Sequence, residues 1–308
     1  MTDPAYVLIS PCRDEIEYAG RTLDSVLAQS ILPALWVIVD DGSTDGTLEL
    51  LRGFEAEYSF IRVIERRDRG IRKVGGGVIE AFNDGLAVID LDDYEYLCKL
   101  DLDLVLPPEY FEGLITRMRG DERLGTVSGK AWYREANDEL RPEAIGDDVS
   151  LGMTKFYRVS CFRQIGGFVA EVMWDGIDCH QCRRLGWRVR SEDCEQLRFI
   201  HLRPMGSSHK SLLTGRARHG RGQYFMGTGL LFMMASATFR LFKSPMILGS
   251  LAMMKGYLGA AIRREKRFAD PGFRRYLHRY HRHCLLFGKS NAVRKLEADG
   301  ETSWNPDR

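Results

Sequence analysis

Over the first hundred residues, short apolar runs alternate with stretches whose apolar positions recur every three or four residues. Residues 6–10 (YVLIS) read as a strand, and Ile16, Ala19, Leu23, Val26 and Leu27 fall on one face of a helix ending near Gln29. Residues 35–39 (LWVIV) are apolar throughout, as a strand covered on both faces must be. The turn at residues 40–47 leads into a helix over TLELLRGF, and residues 60–65 predict a third strand. A basic, glycine-rich loop at 66–77 precedes a helix over 78–89. Residues 94–100 predict a fourth strand, and Pro107-Pro108 halt the extended chain before the helical pattern EYFEGLITRM. This alternation predicts an α/β fold: an open, mostly parallel sheet sandwiched by helices.

The pattern weakens after residue 120. Residues 124–132 (LGTVSGKAW) and 154–159 predict strands separated by a polar, acidic excursion at 133–148. The tight turn Ile165-Gly166-Gly167-Phe168 is followed by residues 172–190, with Asp175 at the start of a helix that Gly186 ends. Residues 197–202 predict a last strand, carrying His201 and followed by Arg203. From residue 211 the character changes. Residues 224–242 and 245–262 are rich in Met, Leu, Phe, Gly and Ala. The first falls short of the ~20 residues that span a bilayer, and Lys255 interrupts the second. They read either as a helical hairpin packed on the rest or as a pair touching a membrane surface. The expected organisation is an α/β unit over 1–210 and a basic, Met-rich helical appendage over 211–308.

Composition and charge narrow the partners. A chain of 308 residues with 44% hydrophobic and 28% charged residues is an ordinary globular protein. Lys and Arg (44) nearly balance Asp and Glu (43), which argues against a nucleic-acid partner. The balance hides an asymmetry: the chain is strongly basic from Arg198 onward. Seven scattered cysteines and a polar start predict a reducing, cytoplasmic compartment, with peripheral contact on the inner face of the membrane as the reading of the tail. Cys179 and Cys182 lack a second pair at zinc-site spacing and read as small packing residues.

The candidate chemistry lies at the strand ends. Ligands of open α/β sheets bind outside the carboxyl ends of the strands. Arg13-Asp14-Glu15, Asp40-Asp41 and Asp101-x-Asp103 all fall there. Side chains alternate along a strand, so Asp101 and Asp103 point the same way and repel unless a cation faces them. Hard oxygen donors of this kind suit Mg²⁺ or Mn²⁺. The bland alternative is a polar strand exit, because Asp is common in turns.

Taken together, Pro11-x-Arg13-Asp14-Glu15, Asp40-Asp41-Gly42-Ser43-Thr44-Asp45-Gly46-Thr47, Ala81-Phe82-Asn83-Asp84-Gly85, Asp101-Leu102-Asp103 and Gly166-Gly167-Phe168 with Trp174-Asp175 resemble the family 2 glycosyltransferases, inverting enzymes of the GT-A fold. The likeness runs over about residues 5–205 and thins out beyond. It implies that the loop of Pro11, Arg13 and Glu15 holds the nucleotide together with Asp41, supported by Asp40. It implies that Asp101 and Asp103 reach the diphosphate through Mn²⁺ or Mg²⁺, Asp103 more directly, and that Asp175 is the general base. Trp174 stands where the family usually carries a Glu. A late His, here His201, is implied as a further metal ligand. Arg218 and Arg221, with Arg216, and Lys73 in its glycine-rich loop are candidate diphosphate contacts, since arginine binds phosphate bidentately. The implied reaction moves a sugar from a nucleotide donor, UDP-linked by preference, to a hydroxyl on a sugar or lipid-linked acceptor, as in bacterial cell-surface polysaccharide assembly.

Rival readings explain less. A nucleotidyltransferase wants a Gly-rich basic signature after the first strand, where this chain is acidic. A glycoside hydrolase leaves Asp40-Asp41 without a role. A non-catalytic membrane scaffold needs neither Asp103 nor Asp175.

Overall fold

The apolar runs at residues 6–10 and 35–39 become inner strands of a seven-stranded sheet. In the computed structural model, which describes residues 5–68, 70, 75–135, 137–203, 212–242 and 245–307, β1 (Tyr6–Cys12) pairs in parallel with β2 (Leu35–Asp40) and with β4 (Tyr96–Leu100). In the edge strand β3 (Ile61–Glu65), Ile61 and Val63 are buried on one face, while Arg62 is exposed and Ile64 half-buried on the other. The strand order is β10-β6-β9-β4-β1-β2-β3. One face carries Tyr6, Leu8, Trp36 and Ile38 against α1 (Ala19–Leu27), α2 (Thr47–Glu57) and α4 (Tyr110–Gly120). Their strand neighbours Val7, Ile9, Val37 and Val39 meet α3 (Gly76–Leu86), α5 (Val159–Gln164) and α6 (Trp174–Arg184) on the other.

The second half departs from the simple alternation. β9 (Thr154–Arg158) inserts antiparallel between β4 and β6 (Leu124–Ser128). The strand expected over 124–132 breaks at Gly129. A side chain there would begin 1.8 Å from the Leu197 carbonyl oxygen. The chain crosses that point as bare backbone, and β7 (Lys130–Arg134) enters a second sheet of order β5-β11-β7-β8. That sheet holds β5 (Leu104–Val105), β8 (Leu140–Pro142) and β11 (Arg198–His201). The expected excursion at 133–148 therefore contains a strand. Within 172–190 the helix stops at Arg184, Gly186 turns with φ +89°, and β10 (Arg188–Ser191) joins β6 in parallel.

The C-terminal stretch is helical, with different boundaries from those expected. α7 (Leu212–Met226) ends at Gly227 (φ +94°), and α8 (Leu230–Phe239) and α9 (Met246–Ile262) follow. α7 and α9 touch backbone to backbone. A side-chain carbon on Gly220 would lie 1.8 Å from the Met253 carbonyl oxygen, and one on Gly256 would lie 1.9 Å from that of Ala217. α10 (Pro271–Phe287) and α11 (Lys289–Glu301) complete the chain, and their Phe273, Leu277, Val293 and Leu296 share a core with Ile177 of α6. Cys179 and Cys182 are buried in the main core, and all seven cysteines are free thiols.

Candidate active site

The loop after β1 is stapled to the turn after β2 by local hydrogen bonds. Ser43 Oγ accepts from the Asp14 amide (2.9 Å), Thr47 Oγ1 from the Glu15 amide (2.9 Å) and Asp45 from the Ile16 amide (3.1 Å). Arg13 donates to the Asp41 carbonyl at 2.8 Å, and Arg66 pairs with the Asp41 carboxylate at 2.5 Å. The short polar side chains of the turn thus hold Glu15 and Asp41 on one rim. Asp40 is placed differently. Its carboxylate accepts from the Ser43 amide (3.0 Å) and is buried inside the turn, so it shapes the rim without lining the cleft.

Asp101 and Asp103 leave β4 toward the same cleft and meet different partners. Lys99 donates to Asp101 and to the Gly152 carbonyl. Asp103 is 3.5 Å from His201 Nε2 and 2.7 Å from Arg203. Burial alone would raise the Asp103 carboxyl, but His201 and Arg203 outweigh it and hold Asp103 below the usual carboxylate range. Burial opposes charge on His201 too, yet its contacts with Asp103 and with Glu143, at 2.7 Å, carry it up to about 9. His201 is therefore a cation shared by two carboxylates. Arg203 bridges Asp103 to Glu15 at 2.8 Å and lies over the Tyr18 ring.

Two lysines lie behind this wall, and of them Lys99 reaches the cleft itself. Lys99 and Lys155 are directly paired across β4 and β9, both almost fully buried. Like charges facing across a ladder repel, and each lysine is answered by its own acid. Lys155 contacts Asp178 at 2.5 Å, Tyr157 donates to the same carboxylate at 2.5 Å, and Asp101 serves Lys99. Burial would lower the Lys155 pKa, but Asp178, Cys179 and Asp175 raise it above the ordinary lysine value. The Trp174 ring lies over both ammonium groups, 5.3 Å from Lys99 and 5.7 Å from Lys155. Lys155 also donates to the Asp175 carbonyl at 3.2 Å, which fixes the first turn of α6. The helix cap is Met173 (φ +71°), and the Asp175 side chain is exposed, with no hydrogen bond to its carboxylate among the described residues.

Lys99, Trp174, Arg203 and the acidic groups of the rim line one cleft of about 570 Å³, a size suited to a small-molecule ligand. Pro11, Arg13, Glu15, Asp41, Asp101, Asp103, Asp175 and His201 all contribute to its wall. Arg218 and Arg221 do not: both lie on α7, and Arg221 pairs with Glu265 at 2.5 Å beside a smaller pocket. Lys73 lies outside the described residues. Sequence reasoning gave no role to Lys99, Lys155, Asp178, Glu143 or Arg203. A lysine inside each apolar strand was the available signal for the first two, because a buried ammonium demands a nearby carboxylate. Glu143 carries no comparable mark.

The donor set at Asp103 is compatible with a hard divalent cation. It consists of carboxylate oxygens, and the buried Asp103 Oδ1 lacks a hydrogen-bond partner among the described residues. No three acidic, His or Cys side chains converge on one point among the described residues. At present Arg203 and His201 supply the positive charge.

Comparison with solved structures defines the class. Mannosyltransferase PcManGT from Pyrobaculum calidifontis, in complex with GDP-Man and Mn²⁺, superposes with a TM-score of 0.53 at 16% identity, covering 97% of this chain and 87% of that one. Residues 1–349 of Staphylococcus aureus TarS give 0.52 at 13% identity, covering 97% and 90%. GalNAc-T7 with UDP, GalNAc and Mn²⁺ gives 0.58 at 11% identity, covering 92% and 58%. The fold is that of the GT-A glycosyltransferases. The sequence model of Glycosyl transferase family 2 matches residues 7–170, over half of the chain, and the protein belongs to that family of enzymes. Poly-beta-1,6-N-acetyl-D-glucosamine synthase of Staphylococcus aureus (strain COL) is 30% identical over 129 residues, 42% of this chain and 29% of that protein. The Staphylococcus epidermidis synthase is 29% identical over a stretch of the same length. The chain thus aligns with under a third of the length of these curated relatives.

Proposed function

We propose that the protein transfers a sugar, with inversion, from a nucleoside-diphosphate donor to an acceptor hydroxyl. The observation that carries this reading is the convergence of Glu15, Asp41, Asp103 and the exposed Asp175 on one cleft. Inversion in a single displacement needs the hydroxyl to attack opposite the leaving diphosphate while a base takes its proton. Asp175 is suited to that task because it stands open in the first turn of α6, where the peptide dipoles favour a carboxylate. Proton removal by a placed group contributes ~10²–10⁴-fold. Glu15 and Asp41 are acceptor-only groups when ionised, which suits ribose hydroxyls and the imide N–H of uracil and favours UDP. Lys99, His201 and Arg203, which line the same cleft, offset the charge of the departing diphosphate. A Mn²⁺ or Mg²⁺ held by Asp103 and Asp101 would add Lewis-acid stabilisation there. A growing polysaccharide or a lipid-linked sugar is the acceptor class, in line with the named activities of the similar synthases.

Calorimetry with UDP and GDP, each with and without Mn²⁺, tests the donor site. UDP with Mn²⁺ is expected to bind most tightly. If neither nucleotide binds under either condition, the reading fails. With a donor of known anomeric configuration, NMR of the product is expected to show the opposite anomer.

A further inference from the structure

Helix α8 (LLFMMASATF) is apolar on nearly every side, yet only Met233 and Ala237 are buried against protein. A short helix of that kind needs apolar surroundings on its outer face as well. Instead Leu231 is 78% and Phe239 69% exposed. Helix α9 is two-faced. Ser250, Met253, Tyr257 and Ala260 turn inward, while Ile247, Leu251, Leu258 and Ile262 form an outward row at helical spacing. Ser250 Oγ donates to the Ala237 carbonyl at 2.9 Å, so the two helices pack together and their outer rows join. Phe242, between them, is 89% exposed. A monomeric surface rarely leaves so much contiguous apolar area open.

Charge decides what covers it. No Asp or Glu occurs between Glu195 and Glu265. Arg240 caps α8, Lys255 interrupts the outward row of α9, and Arg263 and Arg264 follow directly. Arg240 donates to the Ser236 carbonyl at 3.2 Å and has Arg216 for a charged neighbour, so this end of α8 is cationic. A second copy of the chain would set these cations against their like. An anionic lipid surface would not.

We propose that α8 and α9 lie in the plane of an anionic phospholipid bilayer, with Leu231, Phe239, Phe242, Ile247, Leu251 and Ile262 in the acyl boundary and the flanking Arg and Lys groups at the headgroup phosphates. The pair rests on the membrane without crossing it. The seventeen residues of α9 extend about 25 Å, short of the ~30 Å hydrocarbon core, and no described helix is long and apolar enough to span. Lys255 can lay its stem along the apolar row and lift its ammonium to the headgroups. The docking is read from residues apart from the cleft and does not depend on sugar transfer. The geometry links the two regions, however. α9 is locked to α7 at Gly256 and Gly220, and a side chain on Gly222 of α7 would begin 2.5 Å from Met173, two residues before Asp175. The base side of the cleft is thus one helix away from the lipid surface.

Flotation of the full chain with phosphatidylcholine vesicles, with and without phosphatidylglycerol, tests this. The protein is expected to float with the anionic vesicles, less with neutral ones, and less at high salt. Leu231→Glu with Ile247→Glu is expected to cut the bound fraction by about tenfold or more, with UDP affinity and circular dichroism unchanged. Arg263→Glu with Arg264→Glu is expected to remove most of the dependence on phosphatidylglycerol. A native chain that ignores both vesicle types, or a Leu231/Ile247 variant that floats as well as the native chain, overturns the proposal. So does a native dimer that the variant dissociates while neither form binds vesicles, which would assign the patch to a second copy.

Discussion

Lys155 has no contact with water, and its partner Asp178 is as deeply buried. Removing one member of such a pair strands the other charge, whereas replacing both is far milder. Lys155→Met is expected to lower stability by roughly 3–5 kcal/mol, and Lys155→Met with Asp178→Leu is expected to recover most of it in chemical denaturation. Equal losses in the single and double variants would show that the two do not act as a pair. Asp175→Asn is expected to leave UDP affinity intact while kcat falls by about 10²–10⁴; unchanged turnover would remove Asp175 from the role of base. Asp103→Asn is expected to abolish any Mn²⁺-dependent gain in UDP affinity, measured by calorimetry. At this scale the acidic groups of the cleft were legible because carboxylates at strand ends are unusual and easily seen. Of their cationic counterparts, Lys99 could have been read as a charge inside an apolar strand, whereas Arg203 looks like an ordinary surface residue until the chain is folded. Asp40 was expected only to support Asp41, and the turn geometry separates the two: one carboxylate binds its own backbone and the other stands on the rim.

At the level of elements, the strands and helices of the first hundred residues follow from periodicity alone. The later errors have local causes. The run LGTVSGKAW keeps a strand-like pattern straight through Gly129, and the change of sheet is dictated by a close approach to Leu197 that no periodicity encodes. Residues 224–242 read as one helix because their apolar composition never breaks, although Gly227-Thr228-Gly229 marks the turn. The seam between α7 and α9 can be tested directly. Gly256→Leu is expected to drive the helices apart and speed hydrogen exchange in α9; unchanged exchange would show that the contact is not tight. Helix α10 carries a different sensitivity. His281 stacks on Phe232 of α8, and burial, with His278 adding, pushes it down to about 3. The unfolded chain takes up that proton near pH 6.5 and the folded chain does not, so the stability present above pH 6.5 is lost as pH falls toward 3, by up to about 1.4 kcal/mol per pH unit. His281→Phe is expected to flatten this acid limb in melting curves between pH 7 and 5; an identical slope would rule out His281 as its source.

Over the whole molecule, the C-terminal helices are joined to the catalytic sheet by more than chain continuity. Glu297 of α11 takes a bidentate pair of bonds from Arg190 of β10, both at 2.6 Å, and the core of α10 and α11 includes Ile177 of the helix that carries Asp175. The motif Asp101-Leu102-Asp103 also reads differently at this scale. The Asp101 amide donates to Met153 at 2.8 Å, which fastens it to the rim of the large sheet. The Asp103 carbonyl accepts from the Leu202 amide at 2.8 Å, and Leu104 already belongs to the small sheet. The two carboxylates therefore stand on opposite banks of a seam, and the gap between them works as a caliper. A ligand that gripped both jaws would tie the two sheets together, and a slip between the sheets would weaken that grip.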